Sequence, residues 1–259
     1  MAGSYDSHFT ATPIGAMMRR AVWARCAARF APGSRVLEMN CGTGEDALWL
    51  VRHGVRVLST DVSPAMLRVA GEKMARENAV RATTGVLPDS TTTRFQHLAW
   101  EDLGTLDEPP FDGMLSNFGG LNCVQDLRAA AEALAQKLKP GAVAILCIMG
   151  PIVPWEWLWF LGRGEFHKAF RRLRKGGAQW SGIAVQYPSV GAASRAFAPS
   201  FKVLRTSAIG ALLPPPYTQS VLGGHSRLIA VLDRLERRCD TVWPLPMLAD
   251  HYLLELERA

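Results

Sequence analysis

The sequence predicts an α/β protein with a Rossmann-like, doubly wound and mostly parallel sheet, helices on both faces, and a helical, aromatic insertion after the fifth strand. Two observations predict this class. Up to residue 149, short apolar runs rich in β-branched residues alternate with stretches of helix length, as in parallel sheets joined by crossover helices. In addition, a glycine-containing loop, 40–44, stands between the first strand and the helix after it.

The elements of the predicted core follow from local patterns. Pro13 begins a helix that Pro32 and Gly33 end, and Ser63 and Pro64 cap the helix after the second strand. The predicted strands are Arg35–Met39, Val55–Thr60, Phe95–Ala99, Phe111–Leu115 and Ala142–Met149. The predicted helices are Pro13–Phe30, Glu45–His53, Ser63 to about Asn78, and Asp126–Leu138. Parallel strands joined by right-handed crossovers place ligands at their carboxyl ends, where we expect a site.

The later part of the chain is less regular. It predicts helices at Val190–Phe197 and Ser226–Arg238, and strands at Phe201–Ala208 and His251–Glu257. We therefore expect a single domain over residues 1–259. Its predicted parts are a helical cap (1–34), a ligand-binding core (35–149), an insertion or lid (150–187) and a C-terminal part of the sheet (188–259) with a second insertion (213–249).

Composition and charge exclude several classes of protein. Of 259 residues, 48% are hydrophobic and 20% are charged, a composition that excludes a disordered or collagen-like chain. The 29 Lys+Arg exceed the 23 Asp+Glu by six. The five cysteines are dispersed and lack the spacing of a zinc site. We therefore expect free thiols, a cytoplasmic location and no bound metal. Residues 142–162 have the length of a membrane span, but Gly150, Pro151 and Pro154 divide them into a strand and an insertion.

The charges around loop 40–44 indicate the kind of ligand it binds. The loop lacks the G-x-G-x-x-G pattern of dinucleotide sites, and Glu38 at the end of the first strand would repel a pyrophosphate. The same carboxylate attracts ammonium and sulfonium groups, both of which S-adenosylmethionine (SAM) carries. Asp61, at the end of the second strand, can accept hydrogen bonds from both ribose hydroxyls, a feature shared with NAD enzymes.

At these positions the sequence resembles the class I SAM-dependent methyltransferases. Their first four motifs are similar to Val36–Gly44 (VLEMNCGTG), Val57–Leu67, Phe95–Leu103 and Phe111–Val124, and Leu138–Ile148 is similar to the segment around their fifth strand. Within the class, the chain looks most like small-molecule methyltransferases related to quinone-biosynthesis enzymes. Two positions depart from the family pattern. Asn40 replaces the usual first glycine, although Asn tolerates a left-handed backbone, and Ala99 replaces the acid that commonly meets the adenine amine.

The resemblance implies a role in cofactor binding for a set of residues, with S-adenosylhomocysteine as the product. Glu38 and the loop residues Asn40, Cys41, Gly42 and Gly44 would hold the methionine part of SAM, and Asp61 its ribose. Val62 and Met66 would cover one face of the adenine, and Glu101 and the ring or backbone of Trp100 would meet its edge. Ser116 and Asn117 would lie beside the methyl group, and Tyr5 and Arg19 (or Arg20) would close over the cofactor.

No motif identifies a general base. The candidates are Asn117, His8, His167 and His225, whereas His97 and His251 are interpreted as structural. Leu213–Tyr217 (LPPPY) resembles the Asn/Asp-Pro-Pro-Tyr signature of amino-methylating nucleic-acid enzymes. It lies about a hundred residues beyond the fourth strand, however, and we interpret it as a rigid connection that lines the pocket.

Most of the excess positive charge lies within the insertion. Residues 163–175 hold six Lys/Arg and one acid, which gives +5 of the chain's +6. Three tryptophans precede this segment, and Phe166, Phe170 and Leu173 are spaced as on one face of a helix. Three interpretations remain open. The segment is a helix packed on the core with a solvated basic face, a lid over a hydrophobic acceptor, or a peripheral membrane contact through 155–175.

The leading hypothesis is a SAM-dependent methyltransferase that acts on a small, hydrophobic or aromatic acceptor, in the cytoplasm or at the membrane periphery. Alignment and desolvation supply much of this chemistry, so a strong base is not obligatory. The alternatives are an RNA methyltransferase that uses the basic segment 163–175, a SAM-binding protein without transfer activity, and a dehydrogenase on the same fold. We do not expect a nucleic-acid partner, because no module that reads bases is recognisable.

Overall fold

The computed structural model describes residues 12–84, 93–180, 182–218 and 225–259, and its centre is a seven-stranded sheet. The strands are β1 (Arg35–Met39), β2 (Arg56–Asp61), β3 (Arg94–His97), β4 (Phe111–Ser116), β5 (Leu138–Met149), β6 (Ala178–Trp180), β7 (Ile183–Val185), β8 (Phe201–Ile209) and β9 (His251–Arg258). The order in the sheet is β3-β2-β1-β4-β5-β9-β8, in which only β9 runs against the others. This confirms the predicted Rossmann-like, mostly parallel sheet.

Helices cover both faces of the sheet. They are α1 (Pro13–Arg29), α2 (Glu45–Arg52), α3 (Pro64–Thr84), α4 (Leu127–Lys137), α5 (Pro154–Leu161), α6 (Phe166–Ala169), α7 (Val190–Phe197) and α8 (Ser226–Cys239). Caps fix where several of them begin. Thr12 accepts a hydrogen bond from the amide of Gly15 at the start of α1, and Asp126 accepts from the amides of Arg128 and Ala129 at the start of α4.

The core forms two layers, one on each face of the sheet. On one face, buried side chains of β4, β5 and β9 pack with those of α4 and α7, including Phe111, Leu134 and Phe197. On the other face, α1, α2 and the strands bury a second cluster, which includes Met18 and Leu50. Because both faces of the central strands are covered, these strands are apolar almost without interruption.

The predicted boundaries differ from the structure at three places. Helix α3 continues to Thr84, beyond the expected end near Asn78, and β3 is shifted to Arg94–His97. Strand β5 begins at Leu138, before the expected turn at Pro140, and its pairing with β4 is irregular at that end. The hairpin of β6 and β7 was not predicted, because three-residue strands leave almost no periodic pattern.

The insertion does not form the helix that its apolar spacing predicts. Helix α6 is a single turn, and a 3₁₀ turn over Arg171–Leu173 follows it. The side chains of Phe166, Phe170 and Leu173 are 65%, 43% and 50% exposed, so the interpretation as a helix packed on the core is wrong. Within the described ranges, the structure contains no helix that combines the length and the apolar character needed to cross a bilayer.

Candidate functional site

The candidate site lies at the carboxyl edge of the sheet, where β1 lies between β2 and β4. The strand order reverses at this point, and such switch points open a crevice for ligands. The register places Glu38 of β1 opposite Ser59 of β2, and Met39 opposite Ser116 at the end of β4. The sheet therefore gathers the predicted residues of three separate sequence motifs at one edge.

Loop 40–44 is held open by contacts at both of its ends. Asn40 has φ 59°, as the sequence predicts, and its Oδ1 accepts a hydrogen bond of 2.6 Å from the indole Nε1 of Trp100. The amide of Cys41 donates to the carbonyl of Thr60. Gly42 has φ 54°, and a Cβ built there would meet nothing within 4 Å. The loop therefore presents its backbone to free space.

Asp61 supports this loop from the end of β2. Its Oδ2 accepts a hydrogen bond of 2.8 Å from the amide of Gly42, and its Oδ1 accepts one of 2.8 Å from the amide of Ser63. The carboxylate is buried, yet each of its oxygens keeps a second lone pair for a further donor. Asp61 thus joins the glycine loop to the start of α3.

Glu38 is the most perturbed acid of the site. It is 1% exposed, and its Oε2 accepts a hydrogen bond of 2.6 Å from the Oγ of Ser59. Burial raises the pKa of Glu38 to about 8, and the negative charge of Asp46 acts in the same direction. The charge of Arg19 opposes this shift without reversing it, so the carboxyl group carries a proton at neutral pH until a further cation comes close to it.

Asp46, which sequence reasoning noted only as an acidic residue at a helix N-terminus, connects three elements. Its carboxylate accepts hydrogen bonds from Arg19 Nη1 (2.5 Å) and Trp23 Nε1 (2.6 Å) of α1, and from Asn117 Nδ2 (3.0 Å) after β4. Arg19 was predicted to close over the cofactor, and here its side chain is buried against Asp46. The sequence signal for Asp46 was its position two residues after Gly44.

The end of β4 turns sharply beside this cluster. Ser116 and Asn117 are buried, and the Oγ of Ser116 has no hydrogen-bond partner among the described residues. Phe118 follows with φ 44°, which is strained for a bulky residue, and Gly119 with φ 82°. The guanidinium of Arg19 lies 4.9 Å from the centre of the Phe118 ring.

The residues predicted to contact the adenine differ in their accessibility. The Val62 side chain and Glu101 are exposed and Met66 is half-buried, so these three border open space. The Trp100 ring is buried in the core and gives its N–H to Asn40. Trp100 therefore fixes the shape of the glycine loop, and only its backbone remains for the predicted contact.

The structure does not bring His167 or His225 to this cluster. His167 and His225 are exposed, on α6 and directly before α8. Tyr5 and His8 lie outside the described residues. His97 is held by the carbonyl of Val62, at 3.0 Å from its Nε2. His251, by contrast, is buried at the same edge of the sheet, in contact with Phe118.

The donor groups at this edge fit SAM. Glu38, Asp46 and Asp61 surround the glycine loop, and in the described part of the chain only Asp46 forms an ion pair with a cationic side chain. Carboxylates without a cationic partner favour a ligand that supplies positive charge. Gly42, which has free space beside its Cα, and Ser116, whose Oγ has no hydrogen-bond partner among the described residues, both lie at this edge of the sheet.

Comparison with known proteins agrees with this geometry. A family model described as a methyltransferase domain matches residues 36–141, which contain loop 40–44 and the first four strands. Residues 36–141 are therefore similar to a methyltransferase domain. SAM is the cofactor of this domain family, and residues 36–141 cover the crevice described above.

The relatives of this methyltransferase domain include enzymes named for quinones. The chain is 28% identical over 148 residues to a demethylmenaquinone methyltransferase of Clavibacter sepedonicus, covering 57% of this chain and 54% of that protein. It is 31% identical over 144 residues to a 2-phytyl-1,4-naphtoquinone methyltransferase of Synechococcus elongatus, covering 51% and 55%. The chain therefore spans about half the length of these curated relatives.

The fold extends beyond the matched segment. A crystal structure of a SAM-dependent methyltransferase from Clostridium acetobutylicum superposes with a TM-score of 0.61 over 100% of this chain and 97% of that one, at 12% identity. One from Listeria monocytogenes gives 0.59 over 94% and 99%, at 15% identity. At such identities the superpositions show a shared fold.

Proposed function

We propose that this protein is a SAM-dependent methyltransferase that transfers a methyl group to a small, hydrophobic or aromatic acceptor. The observation that carries this proposal is the loop-and-carboxylate crevice. A backbone that is open at Gly42 lies between the carboxylates of Glu38 and Asp61, without a cationic side chain paired to either in the described ranges.

In this proposal each residue of the crevice binds a different part of SAM. Glu38 and the backbone of loop 40–44 hold the methionine part, and Asp61 accepts hydrogen bonds from the ribose. Val62, Met66 and Glu101 bound the adenine. Ser116 offers its buried Oγ near the end of β4, and Asn117 holds its side-chain amide fixed through Asp46.

When bound, SAM supplies an electrophilic methyl group that an acceptor displaces in line. The protein contributes alignment and the exclusion of water, which together are worth several kcal/mol of the barrier. Asp46 serves this purpose here, because it fixes Asn117 of the β4 edge and Arg19 of α1 at the same time. Rigid groups on both sides of the reacting centre reduce the cost of aligning it.

Two observations support a hydrophobic acceptor. The named functions of the curated relatives are methyl transfers to quinones, which are apolar ring systems. In this chain, aromatic side chains join the two insertions: Tyr217 lies 5.7 Å from Phe160 and 6.0 Å from Trp159, between ring centroids. Pro214 and Pro215 stiffen the backbone before Tyr217.

We further propose that the insertion contacts an anionic membrane surface, where apolar acceptors collect. Leu158, Phe166, Phe170 and Leu173 expose apolar side chains. Basic residues lie in the same segment, at positions 163, 168, 171, 174 and 175. Apolar groups beside cationic ones suit the interface of a bilayer with anionic lipids. The free cysteines support a cytoplasmic location.

The basic segment offers less to a polynucleotide than its composition suggests. Arg172 is buried in ion pairs with Glu156 and Asp250, and Arg171 also pairs with Glu156. Lys168 pairs with Glu165. Three acids therefore offset half of the six basic side chains of 163–175, and no observation favours the RNA methyltransferase alternative.

Binding of SAM to Asp61 variants tests the proposed cofactor site. We expect Asp61→Ala to weaken SAM binding in calorimetry by about 1–3 kcal/mol, because a charged hydrogen-bond acceptor is lost. Asp61→Asn removes the charge but keeps an oxygen that accepts the hydrogen bond from the amide of Gly42. This variant therefore separates the effect of the charge on SAM binding from the effect of supporting the loop. The exposed Asp107 supplies the control variant Asp107→Ala. Unchanged affinity in Asp61→Ala would remove Asp61 from its proposed role.

A further inference from the structure

A second group of polar residues lies at the carboxyl edge of the sheet, beyond the crevice. His251 is the first residue of β9, and its register partners are Met149 at the end of β5 and Ile209 at the end of β8. Side chains alternate along a strand, so His251 shares a face with Leu253 and Glu255, the face that α1 covers. His251 therefore lies on the same side of the sheet as Arg19 and Asp46.

The imidazole of His251 is oriented by a carboxylate. Its Nδ1 lies 3.1 Å from Oδ2 of Asp250, and both side chains are buried. Burial alone would raise the pKa of Asp250, but the charge of Arg172 holds it well below its usual range. The contact lacks the geometry of a hydrogen bond, but a carboxylate this close to Nδ1 favours the tautomer that carries its proton there and leaves Nε2 as the acceptor. None of the described residues bonds to that Nε2.

The carboxylate is itself held in place. Arg172 donates to Asp250 Oδ1 (2.5 Å) and to the backbone carbonyls of Asp250 and Gly150. The guanidinium is fixed in turn by Glu156 of α5, at 2.9 Å. Arg172 and Glu156 belong to the insertion, so the position of the insertion determines the orientation of the imidazole.

Phe118 connects this pair to the proposed methyl-transfer centre. The rings of Phe118 and His251 meet edge to face, with centroids 5.3 Å apart, and Phe118 directly follows Asn117. The positive φ of Phe118 is a strained conformation that the surrounding structure maintains. The imidazole is thus separated by one aromatic side chain from the end of β4.

We propose that His251, oriented by Asp250, is the general base that accepts the proton of a hydroxyl group on an aromatic acceptor. This rests on the proposed methyl transfer. The hydroxyl O–H bond breaks and its proton goes to Nε2 of His251. The resulting oxyanion forms a bond to the methyl carbon. The sulfur–methyl bond breaks, its electron pair stays on sulfur, and the proton later leaves His251 for water.

Two acceptors that share the naphthol ring system and differ in the acidity of the hydroxyl group test this role. The probes are 1-naphthol and 4-nitro-1-naphthol, whose nitro group makes the hydroxyl acidic enough to be ionised at pH 8. With 1-naphthol, we expect His251→Gln to lower kcat at least a hundredfold, since general-base catalysis contributes about 10²–10⁴. With the ionised nitro compound, the loss should be less than about fivefold, because no proton must be removed. Asp250→Asn should show the same contrast between the two probes, with a smaller loss of kcat on 1-naphthol.

A measurement without turnover accompanies the kinetics. With S-adenosylhomocysteine present, the visible absorption of bound 4-nitro-1-naphthol reports its ionisation as pH is lowered. We expect wild-type protein to keep the probe ionised to lower pH than His251→Gln does, because the imidazolium pairs with the oxyanion. The charged groups around His251 are Asp250, Arg172 and Glu156, with Arg19 and Asp46 beyond Phe118 and the Cys147 thiol on β5. These are the same in both proteins.

The matched control is His53→Gln, since His53 is exposed at the C-terminal end of α2, opposite to the end that holds Asp46. SAM binding by calorimetry and the thermal midpoint establish that each variant is folded. Equal losses on both probes, with an unshifted ionisation of the bound probe, would overturn the role of His251 alone. A wild-type protein that binds SAM and methylates neither probe would overturn the proposed acceptor class and this inference with it.

Discussion

The carboxyl group of Glu38 shows how burial changes the meaning of a charge read from sequence. As a sequence feature, Glu38 indicated a permanent negative charge that selects a cationic ligand. In the structure it is buried beside Asp46 and Asp61, and its pKa is raised to about 8. At neutral pH the site is therefore a neutral acid that becomes a carboxylate when a cation arrives, which couples ligand binding to proton release.

We expect SAM binding at pH 6.5 to release about one proton, because the cation lowers the pKa of Glu38 below the ambient pH. The α-amino group of SAM already carries its charge at this pH, so it does not contribute. Calorimetry in buffers of different ionisation enthalpy measures the release. Glu38→Gln should bind SAM more weakly and release no proton, and the exposed Glu72→Gln should behave as wild type. Equal proton release in Glu38→Gln and wild type would contradict the assignment.

The same shift gives a stability profile with a defined sign. The pKa of Glu38 is about 8 in the folded protein, against an ordinary value of 4.5. The protonated carboxyl group of Glu38 therefore makes its full contribution to the free energy of unfolding below pH 4.5, and this contribution is lost as the pH rises through 8. The free energy of unfolding of Glu38→Gln should therefore vary less with pH over this interval than that of the wild-type protein.

Among the elements of the fold, α1 is joined to the rest of the protein by ionic contacts at two positions along its length. Arg19 pairs with Asp46 of α2, and Arg25 and Arg29 pair with the buried carboxylate of Glu255 in β9. The first contact lies near the carboxyl edge and the second deeper along the sheet. Helix α1 is therefore fixed relative to both the glycine loop and the last strand.

Removing the charge of Asp46 should loosen the first of these contacts. The side chains of Arg19 and Asp46 are 7% and 6% exposed, and losing one partner of such a pair typically costs about 3–5 kcal/mol. We expect Asp46→Asn to lower the free energy of unfolding in urea by roughly 3 kcal/mol. The control is Glu132→Gln, whose pair with Arg128 is more than half exposed and should matter by less than about 1 kcal/mol. Similar values for both variants would show that the pair of Arg19 and Asp46 does not stabilise the position of α1.

The sequence predicted the parts of this site that depend on local order. The strands follow from the alternation of short apolar runs with stretches of helix length, and the left-handed backbone of Asn40 follows from short-range geometry. Parallel strands then necessarily bring residues 38, 61 and 116 to one edge of the sheet. The contacts of Asp46 could not be predicted, because they join residues 27 and 71 positions apart. The contacts of Trp100 and His251 could not be predicted for the same reason, because tertiary packing decides what these side chains touch.

At the scale of the whole molecule, the insertion lies over the last strands and not beside the sheet as an independent unit. Arg172 of the insertion bonds to the carbonyls of Gly150 and Asp250 and to the Asp250 carboxylate, directly before β9. Inward ion pairs hold its backbone in place, while Leu158, Phe166, Phe170 and Leu173 remain exposed. Such a surface is costly in water and is explained by a partner that covers it.

The partner we propose is an anionic bilayer, and vesicle sedimentation tests it. Wild-type protein should bind vesicles that contain phosphatidylglycerol and dissociate as salt is raised, because screening weakens the attraction of the basic side chains. Phe166→Ser and Phe170→Ser should each weaken binding about tenfold, since each removes an aromatic ring from the interface. Leu228→Ser on α8 is the control, because that side chain is 55% exposed outside the insertion. Equal binding to purely zwitterionic vesicles, or an equal effect of Leu228→Ser, would show that the insertion does not recognise the membrane. The exposed rings would then belong to the acceptor site.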